Sequence, residues 1–292
     1  MDLKRQDEVS ESMQQRQKSE AMSPLAQRVL VSVVLLPVGI AAIFMGGYVF
    51  TALIALIAAL ASWEYVKLFR TGGYEPSGYL VIAGVLLLVV SRAASGFELA
   101  GILLSGLILT AMVVHMMAFE RGRNLAGADF TVTLGGILYL GWIGAYFISI
   151  RDLPQGEWWV MVALPSVWMA DSGAYIIGKR WGRHKLSPRL SPKKTWEGYW
   201  GGVAAGTLGG ALFAYLLSFL GSPVRLLEGA GLGLILALLT IFGDLGESMF
   251  KRQVGVKDSG TILPGHGGVF DRIDSWLWAA VIAYYIIHIF WV

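Results

Sequence analysis

Apolar residues in this chain come in long unbroken runs, not at the three-to-four-residue spacing that gives a soluble helix one greasy stripe. Nine such runs are centred on residues 29–45, 48–63, 79–90, 99–119, 130–150, 158–178, 199–220, 226–242 and 276–292. About 20 residues of helix cross roughly 30 Å of hydrocarbon, so the pattern predicts an all-α, polytopic integral membrane protein of about nine transmembrane helices. The third run is short enough to read equally as a re-entrant segment. Residues 1–24 carry Gln, Ser, Glu and Lys and no aromatic side chain; they bury too little to offset the entropy of ordering and are expected to form a disordered polar tail. No small-residue cleavage pattern follows the first run, which is therefore expected to stay in the mature protein.

Composition agrees with the bilayer as solvent: 55% hydrophobic residues, 15% charged and a mean hydropathy of +0.62. The chain has no cysteine, which excludes a disulfide framework, a thiolate metal site and a thiol nucleophile. A net charge of +3 without a recognisable motif argues against nucleic acid as a partner. The distribution of charge is more telling. With nine spans, 20 of the 23 Lys and Arg residues fall on the side of the amino terminus, and only Arg92, Arg151 and Arg225 fall on the other. Translocation disfavours basic residues in short loops, which puts the basic side, and with it the amino terminus, in the cytoplasm. The two most polar loops, after the sixth and the eighth run, share that face whether or not the third run crosses.

Acids stand where lipid is expected. Asp171 lies inside "PSVWMADSGAYIIG", where an ionised carboxylate costs at least a few kcal/mol unless it meets a polar cavity or a partner. Trp168, Asp171 and Tyr175 share one side of that helix, and Pro165 is placed to bend it; the spacing leaves open whether Asp171 serves function or locks helices in an ion pair. The eighth run leads into "IFGDLGESMFKR", where Asp244, Glu247, Ser248 and Lys251 fall at i, i+3, i+4 and i+7 and so line one face of a helix continuing past the hydrocarbon. Gly243 and Gly246 allow a backbone or ligand to come close. Asp271, Asp274 and Ser275 cluster at the start of the last run, where Asp274 and Ser275 also suit helix capping.

Hard carboxylates interleaved with Lys and Arg suit phosphate chemistry. Magnesium takes one or two protein carboxylates and fills its other positions with water and phosphate oxygens, whereas the lack of soft ligands argues against zinc. The "GHGG" stretch, with Gly267 and Gly268, can present backbone N–H groups to an anion, and His266 is open between a proton or phosphate donor and a plain loop residue. In "SPKKTWEG", which begins at Ser191, Thr195 can cap the seventh helix. Lys193 and Lys194 stand just before its amino terminus, where anions are favoured, and Glu197 falls in its first turn. Glycines through residues 201–210 permit close helix packing within the chain or between two copies.

The stretch "SMFKRQVGVKDSGTILPGHGGVFDRID", residues 248–274, closely resembles the signature region of phosphatidate cytidylyltransferases, or CDP-diacylglycerol synthases. The resemblance runs back through "GDLGES", "SPKKTWEG" and "DSGAYIIGKRWGRHKLSP", covers residues 168–274 well, and reaches the amino-terminal half only in hydropathy. It implies a magnesium-dependent membrane enzyme that joins CTP to phosphatidic acid, releasing CDP-diacylglycerol and pyrophosphate at the cytoplasmic edge, with a second metal or a monovalent ion left open. In that likeness Asp244 and Asp271 match the metal-binding acids and, with Lys193, Lys251 and Asp171, the catalytic set. Ser191, Lys194, Thr195, Tyr175, Ser248, Arg252, Lys257, Asp258, His266, Gly267, Gly268 and Arg272 fall to the substrates. The likeness also implies a homodimer, and of a bacterial cytoplasmic membrane and an organelle the compact form of the chain suggests the former. The runs and polar loops divide the chain into the tail (1–24), amino-terminal membrane helices (25–157) and a catalytic membrane region (158–292). A CTP-dependent polyprenol or phytol kinase would share the body but release CDP. An ion or proton transporter would also place polar groups toward the far side, where the loops are short and nearly neutral.

Overall fold

The structure, a computed structural model, describes residues 24–292 apart from 261 and 263–266. The tail expected over 1–24 lies almost wholly outside the described residues, and His266 lies outside them too. The helices are α1 (Pro24–Met45), α2 (Gly47–Thr71), α3 (Gly78–Ser95), α4 (Ala100–Glu120), α5 (Ala126–Gly136), α6 (Tyr146–Arg151), α7 (Gly156–Trp181), α8 (Trp196–Ser218), α9 (Leu226–Leu239), α10 (Ile241–Gln253) and α11 (Phe270–Phe290). The chain is thus an almost all-helical polytopic membrane protein. Among the described residues eight helical stretches are long and apolar enough to cross a bilayer, and α1 adds a shorter apolar segment, Val33–Met45.

The third run is a complete helix, α3, of 18 residues, which at 1.5 Å per residue spans about 27 Å. Its two ends bind different regions: the Ser77 N–H before it donates to Thr133 Oγ1 in α5, and Arg92 near its other end donates to Ser149 Oγ in α6. It therefore runs the full distance. Loop pairings support the alternation of sides. Arg123, after α4, donates to Gly73 O after α2 and pairs with Asp129, while Gln253, at the end of α10, reaches Tyr74. At the opposite end Arg151 donates to Ile43 O and Phe44 O, closing the carboxy terminus of α1.

Three local features depart from the expected spans. The fifth is not uniform: α5 passes into a π-helical segment, Ile137–Ile143, before α6. Gly136 and Gly141 sit there against Tyr65 and the backbone of Val85, where a Cβ would come within 2.8 Å and 3.0 Å of them, so the widened turn lets α2 and α3 approach. The eighth span is interrupted at Thr240, where the Gly243 N–H donates to Thr240 O three residues back, and α10 starts afresh. The polar loop after α7 folds into a short hairpin, β1 (Lys185–Ser187) against antiparallel β2 (Ser191–Thr195).

The glycines of residues 201–210 pack within the chain. Gly202 and Gly206 face Ala170 and Ala174 of α7 and Ala237 of α9, and Gly210 lies against the backbone of Gly229 and Gly233. This brings α7, α8 and α9 together. One buried apolar cluster continues through α2, α7, α9 and α11, from Phe50 and Tyr65 to Phe270 and Ile287.

Candidate functional site

The site forms where α10 and α11, joined by the loop after Gln253, run antiparallel. Acids three residues apart on each helix then come level in pairs. Asp244 lies at the height of Asp274, where Gly243 is pressed against the backbone of Asp274 and a Cβ would reach Trp278 Cδ1 at 2.9 Å. Glu247 lies at the height of Asp271, one turn nearer the loop. Gly243 thus has the close backbone approach read for it, whereas Gly246 faces open space.

The pair near the loop is closed. Lys251 Nζ lies 2.8 Å from both Glu247 Oε2 and Asp271 Oδ1, and all three side chains are buried, at 11%, 1% and 9% of full exposure. The second oxygen of Asp271 accepts the N–H of Ser259 at 3.1 Å and of Gly268 at 3.0 Å. The Gly268 N–H is therefore given to the protein's own carboxylate. Gly267 takes φ +86°, a region that suits glycine, and leads the chain into this turn. A Cβ on Gly268 would strike Ser259 Oγ and lie 2.6 Å from Glu64 Oε2.

The other pair is open at Asp244 and closed at Asp274. Lys194, on β2, reaches Asp244 Oδ2 at 2.7 Å with both side chains partly exposed, at 26% and 34%, and Ser248 Oγ leans toward Asp244 Oδ1 at 3.4 Å. Asp171 is exposed on α7 yet lies within electrostatic reach of Lys194, Asp244 and Arg272. Asp274, buried, lies within reach of Asp244, Asp171 and Lys194. Thr195 caps α8 as read, accepting the Gly198 N–H at 3.2 Å. Glu197, in the first turn of α8, accepts its own backbone N–H and also binds the Arg183 and His184 N–H groups and the His184 ring.

The structure therefore brings Asp171, Lys194, Asp244, Ser248, Lys251, Gly268, Asp271 and Arg272 to one region. Other expected residues stand apart. Arg252, one position after Lys251, is rotated 100° from it; it donates to Val256 O and lines, with Arg189 and Met249, a separate open cavity of about 600 Å³ under the hairpin turn. Tyr175 packs beneath the Lys179 ammonium. Ser191 is paired in the hairpin. Lys193, Lys257 and Asp258 are exposed and make no ion pair among the described residues. Asp274 and Ser275 do not cap α11, which begins four residues before Asp274, at Phe270. Glu247 and Asp274 belong to the acid cluster although the spacing singled them out only as a stripe and a cap. Glu64 was not singled out at all.

Five carboxylates, Asp171, Asp244, Glu247, Asp271 and Asp274, thus meet three basic groups, Lys194, Lys251 and Arg272. Glu247 Oε1 is buried without a hydrogen-bond partner among the described residues. No preformed set of three or more His, Cys, Asp or Glu ligands occurs among them. A shortage of positive charge beside a reachable pair of carboxylates fits a hard cation such as magnesium, which needs one or two protein carboxylates and completes its coordination with water and phosphate.

Comparison with known proteins gives a consistent picture. The family model described as "Cytidylyltransferase family" matches residues 26–290. The match therefore extends through the amino-terminal half, beyond the reach of the motifs. Curated relatives named "Phosphatidate cytidylyltransferase" include one from Synechocystis sp., 32% identical over 89% of this chain and 96% of its own length. Others are from Pseudomonas aeruginosa, 37% identical over 86% and 92%, and from Bacillus subtilis, 33% identical over 92% and 100%.

Proposed function

The chain belongs to the cytidylyltransferase family, and we propose that it transfers the cytidylyl group of CTP to phosphatidic acid, giving CDP-diacylglycerol and pyrophosphate, with magnesium required. The observation that carries this reading is the convergence of α7, β2, α10 and α11 on one cluster of acids and lysines, Asp171, Lys194, Asp244, Lys251 and Asp271. The relatives' shared name supports the substrate pair.

The lipid phosphate is already anionic, so no strong general base is needed. One of its oxygens attacks the α-phosphorus of CTP; that P–O bond forms as the bond to the bridging oxygen of pyrophosphate breaks, and the electron pair leaves with pyrophosphate. What the protein must supply is approach of two polyanions and stabilisation of charge on the leaving group. Lys194 holds Asp244 in the substrate-free protein, and incoming phosphates offer its partly exposed ammonium a second anionic partner, while Lys251, shared between Glu247 and Asp271, keeps the buried acids in place. Asp244 and Asp271, with Asp171 and Asp274 beside them, would hold a magnesium ion, which when bound supplies further neutralisation of phosphate oxygens. Thr195 and Gly198 fix the end of α8 from which Lys194 extends. The excess of Lys and Arg on this face supports a cytoplasmic location, in a bacterial cytoplasmic membrane.

The test is an assay of purified protein in detergent with labelled CTP and phosphatidic acid, with and without magnesium. Labelled CDP-diacylglycerol and an equal amount of pyrophosphate, both abolished by chelation, are expected. Release of CDP, or turnover without phosphatidic acid, would overturn the assignment.

A further inference from the structure

Glu64 belongs to the amino-terminal half, on α2, yet its carboxylate is 0% exposed and ends in the catalytic loop. Glu64 Oε2 accepts the N–H of Phe270 at 2.8 Å, across 206 positions of chain. Phe270 is the first residue of α11, and the preceding residue, Val269, has no side chain able to cap a helix. A carboxylate from another helix therefore takes the place of a local cap. The loop closes around it: Cβ atoms on Gly260 and Gly268 would both collide with the Glu64 carboxylate. Tyr65, its neighbour, donates to Val132 O and packs on Phe250 and Phe270, fixing this stretch of α2 against α5, α10 and α11.

Asp271 follows Phe270 directly, and its own hydrogen bonds go to Ser259 and Gly268, which flank the Glu64 carboxylate. We propose that Glu64 is a positioning residue for the reaction: its hydrogen bond to Phe270 sets the start of α11 and so holds Asp271 against Lys251. The proposal rests on the functional reading above for its kinetic consequence, while its structural consequence stands without substrate. Glu64 touches neither reacting group; it acts through Asp271.

The experiment compares Glu64→Ala, Glu64→Gln and the natural protein, each full-length in detergent. Two readouts are taken: hydrogen exchange of the peptide spanning residues 254–272 without substrate, and kcat and KM for CTP. A glutamine oxygen can still accept the Phe270 N–H, so E64Q is expected to keep exchange protection and a kcat within about threefold of the natural value. E64A is expected to speed exchange of this peptide by about tenfold or more, leave α4 peptides unchanged, and lower kcat by roughly 10–100-fold with KM for CTP within threefold, in line with loss of a buried, charge-assisted hydrogen bond. Loss in E64Q equal to that in E64A would assign the effect to charge and overturn positioning, as would E64A with natural exchange at the loop. If the natural protein makes no CDP-diacylglycerol, the functional reading fails, and the exchange result still decides the role of Glu64.

Discussion

Replacing Lys251 by methionine tests the closed part of the site. The ammonium contacts two carboxylates at 2.8 Å each, with all three side chains nearly out of solvent. At an effective dielectric of 20, each contact represents about 6 kcal/mol of gross attraction, most of it offset by the cost of taking the charges out of water. Methionine fills much of the lysine volume, so packing changes little. What remains is a pair of carboxylates, Glu247 and Asp271, facing each other without a cation, and removing one partner of a buried pair costs about 3–5 kcal/mol. In a chain of this size that lowers the unfolding midpoint by on the order of 10 °C, measured by tryptophan fluorescence during heating in detergent. The cause is a like-charge conflict, so adding Glu247→Gln to K251M should recover more than half of the loss while turnover stays low. An unchanged midpoint in K251M, or no recovery in the double variant, would refute the argument that this lysine neutralises both acids.

Asp244→Asn should cut turnover by about a thousandfold and move the midpoint little, because its partly exposed pair with Lys194 contributes no more than about 1 kcal/mol; Asp271→Asn should lose both activity and several degrees, since it also holds Ser259 and Gly268. Gly268→Ala should cost about 1–3 kcal/mol by pushing a methyl into Ser259 and Glu64, seen in the same melting assay. The chain lacks cysteine, so single cysteines placed at Arg183 or Lys257 report sidedness cleanly. Both should react with an impermeant maleimide in inverted vesicles and not in intact cells, and the opposite pattern would reverse the proposed topology.

Much of this architecture is legible in hydropathy alone, because a helix in lipid must satisfy its own backbone and shield it with apolar side chains along its whole length. Asp171 and Asp244 are legible for the same reason: a carboxylate in or beside an apolar run costs too much to be incidental. Charge alone groups Arg252 with Lys251, yet adjacent helical residues diverge by 100° and Arg252 faces Val256 and the hairpin turn. The π segment and the turn at Thr240 leave no mark in hydropathy, since they arise from how Tyr65, Val85 and Asp274 crowd particular glycines. Glu64 escapes notice because it follows Trp63 at the boundary of an apolar run, with Lys67 one turn on. That pattern is equally what a solvated helix end would show, and only the return of the chain 206 residues later buries it.

The two levels of the acid cluster make opposite demands on solvent, and this decides how they divide the work. A group that meets phosphate must be reachable and must exchange partners, which a pair like Lys194 and Asp244 can do at little cost because water screens each charge when the pair opens. A group that fixes geometry must not exchange, and Lys251 is held so: leaving either carboxylate strands a buried charge. Asp271 belongs to the closed level through both oxygens, one facing Lys251 and the other the Ser259 and Gly268 N–H groups. Any cation that takes the place of Lys251 on it must compensate Glu247 as well, whose second oxygen is already without a partner among the described residues. A divalent ion can compensate both charges at once where a monovalent one cannot. The closed level therefore predicts cooperative loading: magnesium should bind weakly alone and more tightly with CTP. Calorimetry of the E247Q variant should show that coupling diminished, because one of the two buried charges that enforce it is gone.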